Sequence, residues 1–129
     1  MTHPAAPLVL VVDDYDDARE MYAEYLLVSG YRVAMARDGH EAVAEATALL
    51  PDLVLMDLSL PGLDGLEATR QLKADPRTRH IPIVALTGHA LSSAAEGARE
   101  AGCDSFVLKP CLPDEVLVEV KRMLGRTVV

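Results

Sequence analysis

The sequence predicts an open, doubly wound α/β fold: one parallel sheet with helices on both faces. Five short apolar runs alternate with stretches of helical period, so the order reads as β-α repeated five times. Three of the runs are near-continuous Val, Ile and Leu, which is how a strand reads when both of its faces are covered. The 129 residues, half of them hydrophobic and a quarter charged, suffice for one domain with one core and leave no room for two.

Strands are expected at 8–12 (LVLVV), 31–36 (YRVAMA), 53–57 (LVLMD), 83–87 (IVALT) and 105–109 (SFVLK). The first helix is expected over 16–29, with Ala18, Met21, Tyr22, Tyr25 and Leu26 on one face and Ser29-Gly30 as its stop. Asp16 or Asp17 is placed to cap it. A second, alanine-rich helix covers 40–50, a third covers 66–74 and closes at Asp75-Pro76, and a fourth covers 91–101 and ends at Gly102. The fifth starts at Pro113, a residue suited to the first helical position, and buries Val116, Leu117, Val120 and Leu124.

The net charge is −8, and four of the 20 acidic residues fall in the run DDYDD at 13–17. That sign argues against nucleic acid and against an anionic membrane surface as partners. Tryptophan is absent and phenylalanine occurs once, so no aromatic platform for stacking bases is in sight. Cys103 and Cys111 are too few for a disulfide scaffold and have no zinc spacing; they read as reduced thiols. No apolar run approaches the length of a membrane span, and the start MTHPAAP has no basic n-region. A cytoplasmic location is expected.

In an open α/β sheet, ligands bind beyond the carboxyl ends of the strands, at a topological switch point. The residues at those ends are Asp13 and Asp14 after the first strand, Asp57 on the third, Thr87 then Gly88 on the fourth, and Lys109 then Pro110 on the fifth. Singly, each has an ordinary explanation as a turn, a cap, a last β-branched residue or a solvated lysine. Together they put three carboxylates, a hydroxyl and an ammonium on one rim. Close carboxylates repel, and a hard divalent cation such as Mg²⁺ offsets the repulsion with few carboxylates and several waters. Three carboxylates, one dication and one ammonium are neutral together. Lys109 can then bind an anion as a point charge, and Thr87 can donate a hydrogen bond to it. These are the parts of phosphoryl transfer, in which a carboxylate can serve as nucleophile.

On these residues the sequence resembles the receiver domain of bacterial two-component response regulators, of the single-domain, chemotaxis-receiver-like kind. The motifs are Asp13-Asp14, MDLSLPGLDG (56–65), ALTGHA (85–90) and AGCDSFVLKP (101–110), and their order and spacing across the strand ends make the match specific. The resemblance implies a flavodoxin-like (βα)5 three-layer sandwich with strand order 2-1-3-4-5. It implies that Asp57 is the phosphoacceptor and that Asp13, Asp14, Asp57 and the backbone carbonyl of Ser59 hold Mg²⁺, with Mn²⁺ as a substitute. Thr87 and Lys109 would bind the phosphoryl group, Thr87 and Phe106 would form the switch, and the bond before Pro110 would be cis. Pro61 and Gly65 fit the loop that shapes the site beyond Asp57. Phe106 stands where tyrosine is commoner, Gly88 leaves access open, and Ser59 and His89 flank the site at positions that tune the phosphoryl lifetime.

A module of this kind is no enzyme beyond its own phosphotransfer and autodephosphorylation. The implied donor is a histidine kinase or a histidine phosphotransfer protein. The implied target is a protein that reads the fourth helix, fifth strand and fifth helix. The receiver is expected at 8–125, with an extension at 1–7 and a tail at 126–129. Because the chain ends after the fifth helix, output is expected through protein contact, unless the receiver belongs to a hybrid histidine kinase or a larger regulator.

Three rival readings are weaker. An aspartate-nucleophile phosphatase or mutase would want a second acid two residues after the nucleophile, where Ser59 stands. A nucleotide or flavin module would want a glycine- or hydroxyl-rich first loop, and DDYDD repels phosphate. A scaffolding pseudo-receiver normally lacks an acid, the hydroxyl or the lysine, and all are present.

Overall fold

The computed structural model describes residues 6–58, 64–87, 97, 99–108 and 112–127. In chain order these form β1 (Leu8–Val12), α1 (Asp16–Val28), β2 (Arg32–Ala36), α2 (Gly39–Leu49), β3 (Leu53–Asp57), α3 (Gly65–Ala74), β4 (Ile83–Thr87), β5 (Ser105–Leu108) and α4 (Pro113–Thr127). The helix expected at 91–101 lies mostly outside the described residues; 99–101 are helical. All five strands are parallel, in the order β2-β1-β3-β4-β5. The doubly wound class and the implied strand order therefore both hold.

The period of two along each strand divides the core into two layers. Val9, Val11, Leu53, Leu55, Val84 and Leu86 face α1 and α4, where they meet Tyr22, Leu26, Val116, Val120 and Met123. Leu10, Val12, Val54, Met56 and Ile83 face the other way, onto Ala42 and Ala46 of α2 and Ala68 and Leu72 of α3. Small alanines let these two helices lie close to the sheet. The central strands β3 and β4 are buried along their whole length, whereas the edge strands β2 and β5 are half-exposed.

Side-chain caps start two of the helices. Asp38 accepts a hydrogen bond from the Glu41 N–H, and Asp64 accepts one from the Glu67 N–H, each at 2.8 Å. The start of α1 differs from the sequence expectation. Asp16 is already helical, and the N-cap position is Tyr15, whose side chain makes no capping bond. The buried face of α1 differs too. It consists of Arg19, Tyr22, Ala23 and Leu26, while Met21 and Tyr25 stand 41% and 38% exposed. The inward stripe runs through 19, 22, 23 and 26, and the two larger side chains fall just outside it.

α2 ends on Leu50, a non-glycine residue in the left-handed region (φ 49°, ψ 62°) whose side chain is half exposed. A Cβ there costs about 1–2 kcal/mol. Leu50→Gly removes that crowding, and the added freedom of the unfolded chain takes back about 0.4–1 kcal/mol. The expected result is a net gain of about 0.5 kcal/mol, read as a higher urea midpoint at unchanged slope.

Candidate functional site

The first two acidic side chains follow from β1. The sheet ladder continues one residue past that strand, because the Asp13 N–H donates to the Ala36 carbonyl at 3.1 Å. Asp13 thereby takes the next place in the row of Val9 and Val11, and it is fully buried. Asp57 ends β3 in the row of Leu53 and Leu55 and is 2% exposed. Since β1 and β3 are neighbours in register (Val12 beside Met56), the two carboxylates share a face at one rim. Asp14 completes the group from the exposed side. One carboxylate oxygen from each of Asp13, Asp14 and Asp57 lies within 4.8 Å of the others. This group sits where the chain, having gone from β1 out to β2, returns on the other side of β1 as β3. That is the topological switch point of the sheet.

Asp13 is held at several points. Its Oδ1 accepts a hydrogen bond from the Tyr15 N–H at 2.9 Å, and its backbone carbonyl accepts one from Arg19 Nη1 at 3.0 Å. The other arm of that guanidinium donates to Asp16 at 2.6 Å. Arg19 was not legible as a site residue, because a charged residue in a helix reads as surface. Its one signal is its position, three residues before Tyr22 and seven before Leu26, on the inward stripe.

The backbone after Asp57 is fixed from two sides. The Leu58 N–H donates to the Leu86 carbonyl at 3.1 Å, which carries the β3–β4 ladder past the strand end. Gly65 packs directly on this backbone: a Cβ there would run into the Asp57 carbonyl and stand 2.8 Å from the Leu58 Cα. Thr69 steadies the same turn, its hydroxyl donating to the Gly65 carbonyl at 2.7 Å while accepting a long contact from the Cys103 thiol at 3.8 Å. Burial pushes the Cys103 thiol above its ordinary pKa.

Thr87 ends β4 at the same rim and is 3% exposed. The register pairs Thr87 with Leu108 and Ala85 with Phe106, so Thr87 and Phe106 lie on one face of neighbouring strands, two places apart. Phe106 is half-buried on the edge strand, with the Arg99 guanidinium 6.0 Å from its ring centroid. Ser59, Pro61, Gly88, His89, Lys109, Pro110 and Cys111 lie outside the described residues. The structure thus brings together Asp13, Asp14 and Asp57, and sets Thr87 on the same rim.

Three hard oxygen donors converging from two strand ends are a donor set suited to a small divalent cation. Two outcomes test this local architecture. Gly65→Ala lowers stability by about 1–3 kcal/mol and moves the amide resonances of Asp57 and Leu58, whereas Gly125→Ala, with open space around it, leaves those resonances in place. At pH 8, iodoacetamide labels Cys103 in the folded protein more slowly than in urea, read by peptide mapping, because a raised pKa leaves less thiolate.

The model of the response regulator receiver domain family matches residues 9–121. The polar-differentiation response regulator DivK of Brucella anthropi is 36% identical over 117 residues, covering 91% of this chain and 95% of DivK. Among solved structures, the chemotaxis protein CheY4 of Vibrio cholerae superposes with a TM-score of 0.87 at 29% identity, over 92% of this chain and 98% of CheY4. The receiver domain of the sensor histidine kinase PA1611 from Pseudomonas aeruginosa superposes with a TM-score of 0.86 at 36% identity, over 94% of this chain and 99% of its own. A magnesium ion is coordinated in the active site cleft of that structure. With a family match across both the acidic rim and the switch-point topology, this chain belongs to the response regulator receiver domains.

Proposed function

We propose that this receiver accepts a phosphoryl group on Asp57 and signals through a change at Thr87 and Phe106. The observation that carries the reading is the convergence of Asp13, Asp14 and Asp57 at the switch point, with Asp57 at the end of a strand buried along its whole length. Asp13 and Asp14, with Asp57 and the backbone carbonyl of Ser59, are the proposed ligands of Mg²⁺, for which Mn²⁺ can stand in; the magnesium in the PA1611 receiver supports the choice. When bound, the dication offsets the clustered negative charge and holds phosphoryl oxygens.

A histidine kinase or histidine phosphotransfer protein presents the phosphohistidine. An Asp57 carboxylate oxygen attacks phosphorus, the P–N bond breaks, and the imidazole nitrogen keeps the electron pair and takes up a proton. The groove along the outer face of α1 is where we place the donor. It measures about 490 Å³, is lined by Met21, Tyr25 and Val28, and is edged by Asp17, Glu20 and Glu24. It opens within two turns of the acidic pair and suits an apolar helix with basic margins.

The phosphorylated side chain carries roughly −1.5 to −2 charges in place of −1. Thr87 donates a hydrogen bond to the new oxygens, and Lys109 supplies the matching cation. Movement of Thr87 frees space on the face it shares with Phe106, and the ring turns inward. The readout surface is then β5 with its flanking helices, where Leu108, Leu112 and Val118 are 41%, 62% and 66% exposed. The target is a protein; nucleic acid and membrane are not assigned as partners. Among the described residues, no helix is long and apolar enough to cross a membrane, and we place the module, spanning 8–125, in the cytoplasm. Its chemistry is limited to its own phosphorylation and dephosphorylation. PA1611 carries its receiver within a sensor kinase, so this module serves equally as a separate regulator or as part of a longer protein.

Intact mass after incubation with acetyl phosphate tests the reading. One phosphoryl adduct is expected with Mg²⁺, none with EDTA, and none in Asp57→Asn. Adduct formation in Asp57→Asn equal to that of the native protein would place the acceptor elsewhere.

A further inference from the structure

Arg19 is a buried cation near the start of a helix, where the macrodipole favours anions. Arginine is rarely buried unless paired, and here its side chain is only 10% exposed. What it touches explains its place. Nη1 donates to the Asp13 carbonyl and Nη2 to the Asp16 carboxylate, so one planar fork ties the last residue of the β1 ladder to the first turn of α1. The Asp13 N–H is fixed by Ala36 and its Oδ1 by the Tyr15 N–H. The guanidinium thus completes a set of attachments at the amide, the carboxylate and the carbonyl.

We propose that Arg19 is a positioning residue for the cation site: it fixes the Asp13–Asp14 backbone so that both carboxylates meet Asp57. Two effects of the side chain have opposite signs. As a positive charge near the site, Arg19 weakens cation binding. As a brace on the loop, it strengthens it. The covalent geometry favours the second effect. Asp16 already neutralises much of the guanidinium charge, whereas the Asp13 backbone carries the ligand directly. Outer contacts of this type orient metal ligands and are worth about 10–100-fold in affinity.

This inference rests on reading Asp13, Asp14 and Asp57 as a cation site, and the experiment separates the two. Mg²⁺ is titrated calorimetrically into the native protein, Arg19→Lys and Arg19→Met, with melting temperatures and metal-free ¹H–¹⁵N spectra recorded for each. Lysine keeps the charge and the stem but not the rigid fork. The expected result is a fall in Mg²⁺ affinity of about ten-fold for Arg19→Met and a smaller fall of about three-fold for Arg19→Lys. The Asp14 and Tyr15 amide resonances of the metal-free variants are displaced. Unchanged Mg²⁺ affinity in a folded Arg19→Lys, even with a lower melting temperature, overturns the proposal and leaves Arg19 a purely structural residue. Tighter binding in Arg19→Met also overturns it, since the charge effect then dominates. If Arg19→Met does not fold, the lysine variant decides. Absence of Mg²⁺ binding by the native protein overturns the cation site itself, and the role of Arg19 with it.

Discussion

Mutual repulsion of the clustered carboxylates is the constraint around which the rest of this molecule is arranged. Asp13 and Asp57 are both buried, and their oxygens lie within 4.8 Å of each other. Two unit charges at that distance repel by about 3.5 kcal/mol at an effective dielectric constant of 20. Net domain stability is only about 5–15 kcal/mol, so the backbone carrying these groups cannot be left loose. The fold answers with main-chain attachments: the ladder bonds to Ala36 and Leu86, the Arg19 fork, and the close approach of Gly65. Backbone held this way keeps the three carboxylates together rather than letting them spread apart.

The two-layer core is what makes such attachments stiff. The strands that carry Asp13, Asp57 and Thr87 are those covered on both faces, with apolar residues at essentially full burial. Close-packed interiors transmit displacement instead of absorbing it. The half-exposed edge strand β5 has room that β3 and β4 lack. Phe106 on β5 lines an open recess of about 220 Å³ with Arg99, Cys103, Asp104 and Ser105.

How much was legible in the sequence follows from the same distinction. The central strands LVLVV, LVLMD and IVALT announced themselves because burial on both faces demands unbroken apolar runs. The polar residues at and just beyond their ends stand out against those runs, which is why the sequence alone puts Asp13, Asp57 and Thr87 on one rim. β2 begins at Arg32 rather than Tyr31, because the Tyr31 N–H is spent on the Leu26 carbonyl at the end of α1. Amphipathic α1 is less legible. Size and apolarity pointed to Met21 and Tyr25, while the inward stripe is fixed by how the helix docks on the sheet. Helical period alone does not choose between adjacent faces when both carry apolar residues.

The inward stripe of α1 and the burial of Arg19 are hidden in the sequence for one reason. A helix face is inferred by assuming that charge points outward, and Arg19 points inward because a backbone carbonyl at the sheet rim is there to receive it. The Asp13 carbonyl lies one residue past the last paired residue of β1, at the rim from which α1 starts. A long, forked side chain from the following helix reaches it without disturbing the strand. With Arg19, Tyr22, Ala23 and Leu26 facing inward, Met21, Tyr25 and Val28 fall along the outer groove. One helix thus carries both a buried guanidinium on the Asp13 carbonyl at the acidic rim and an apolar stripe along the outer groove.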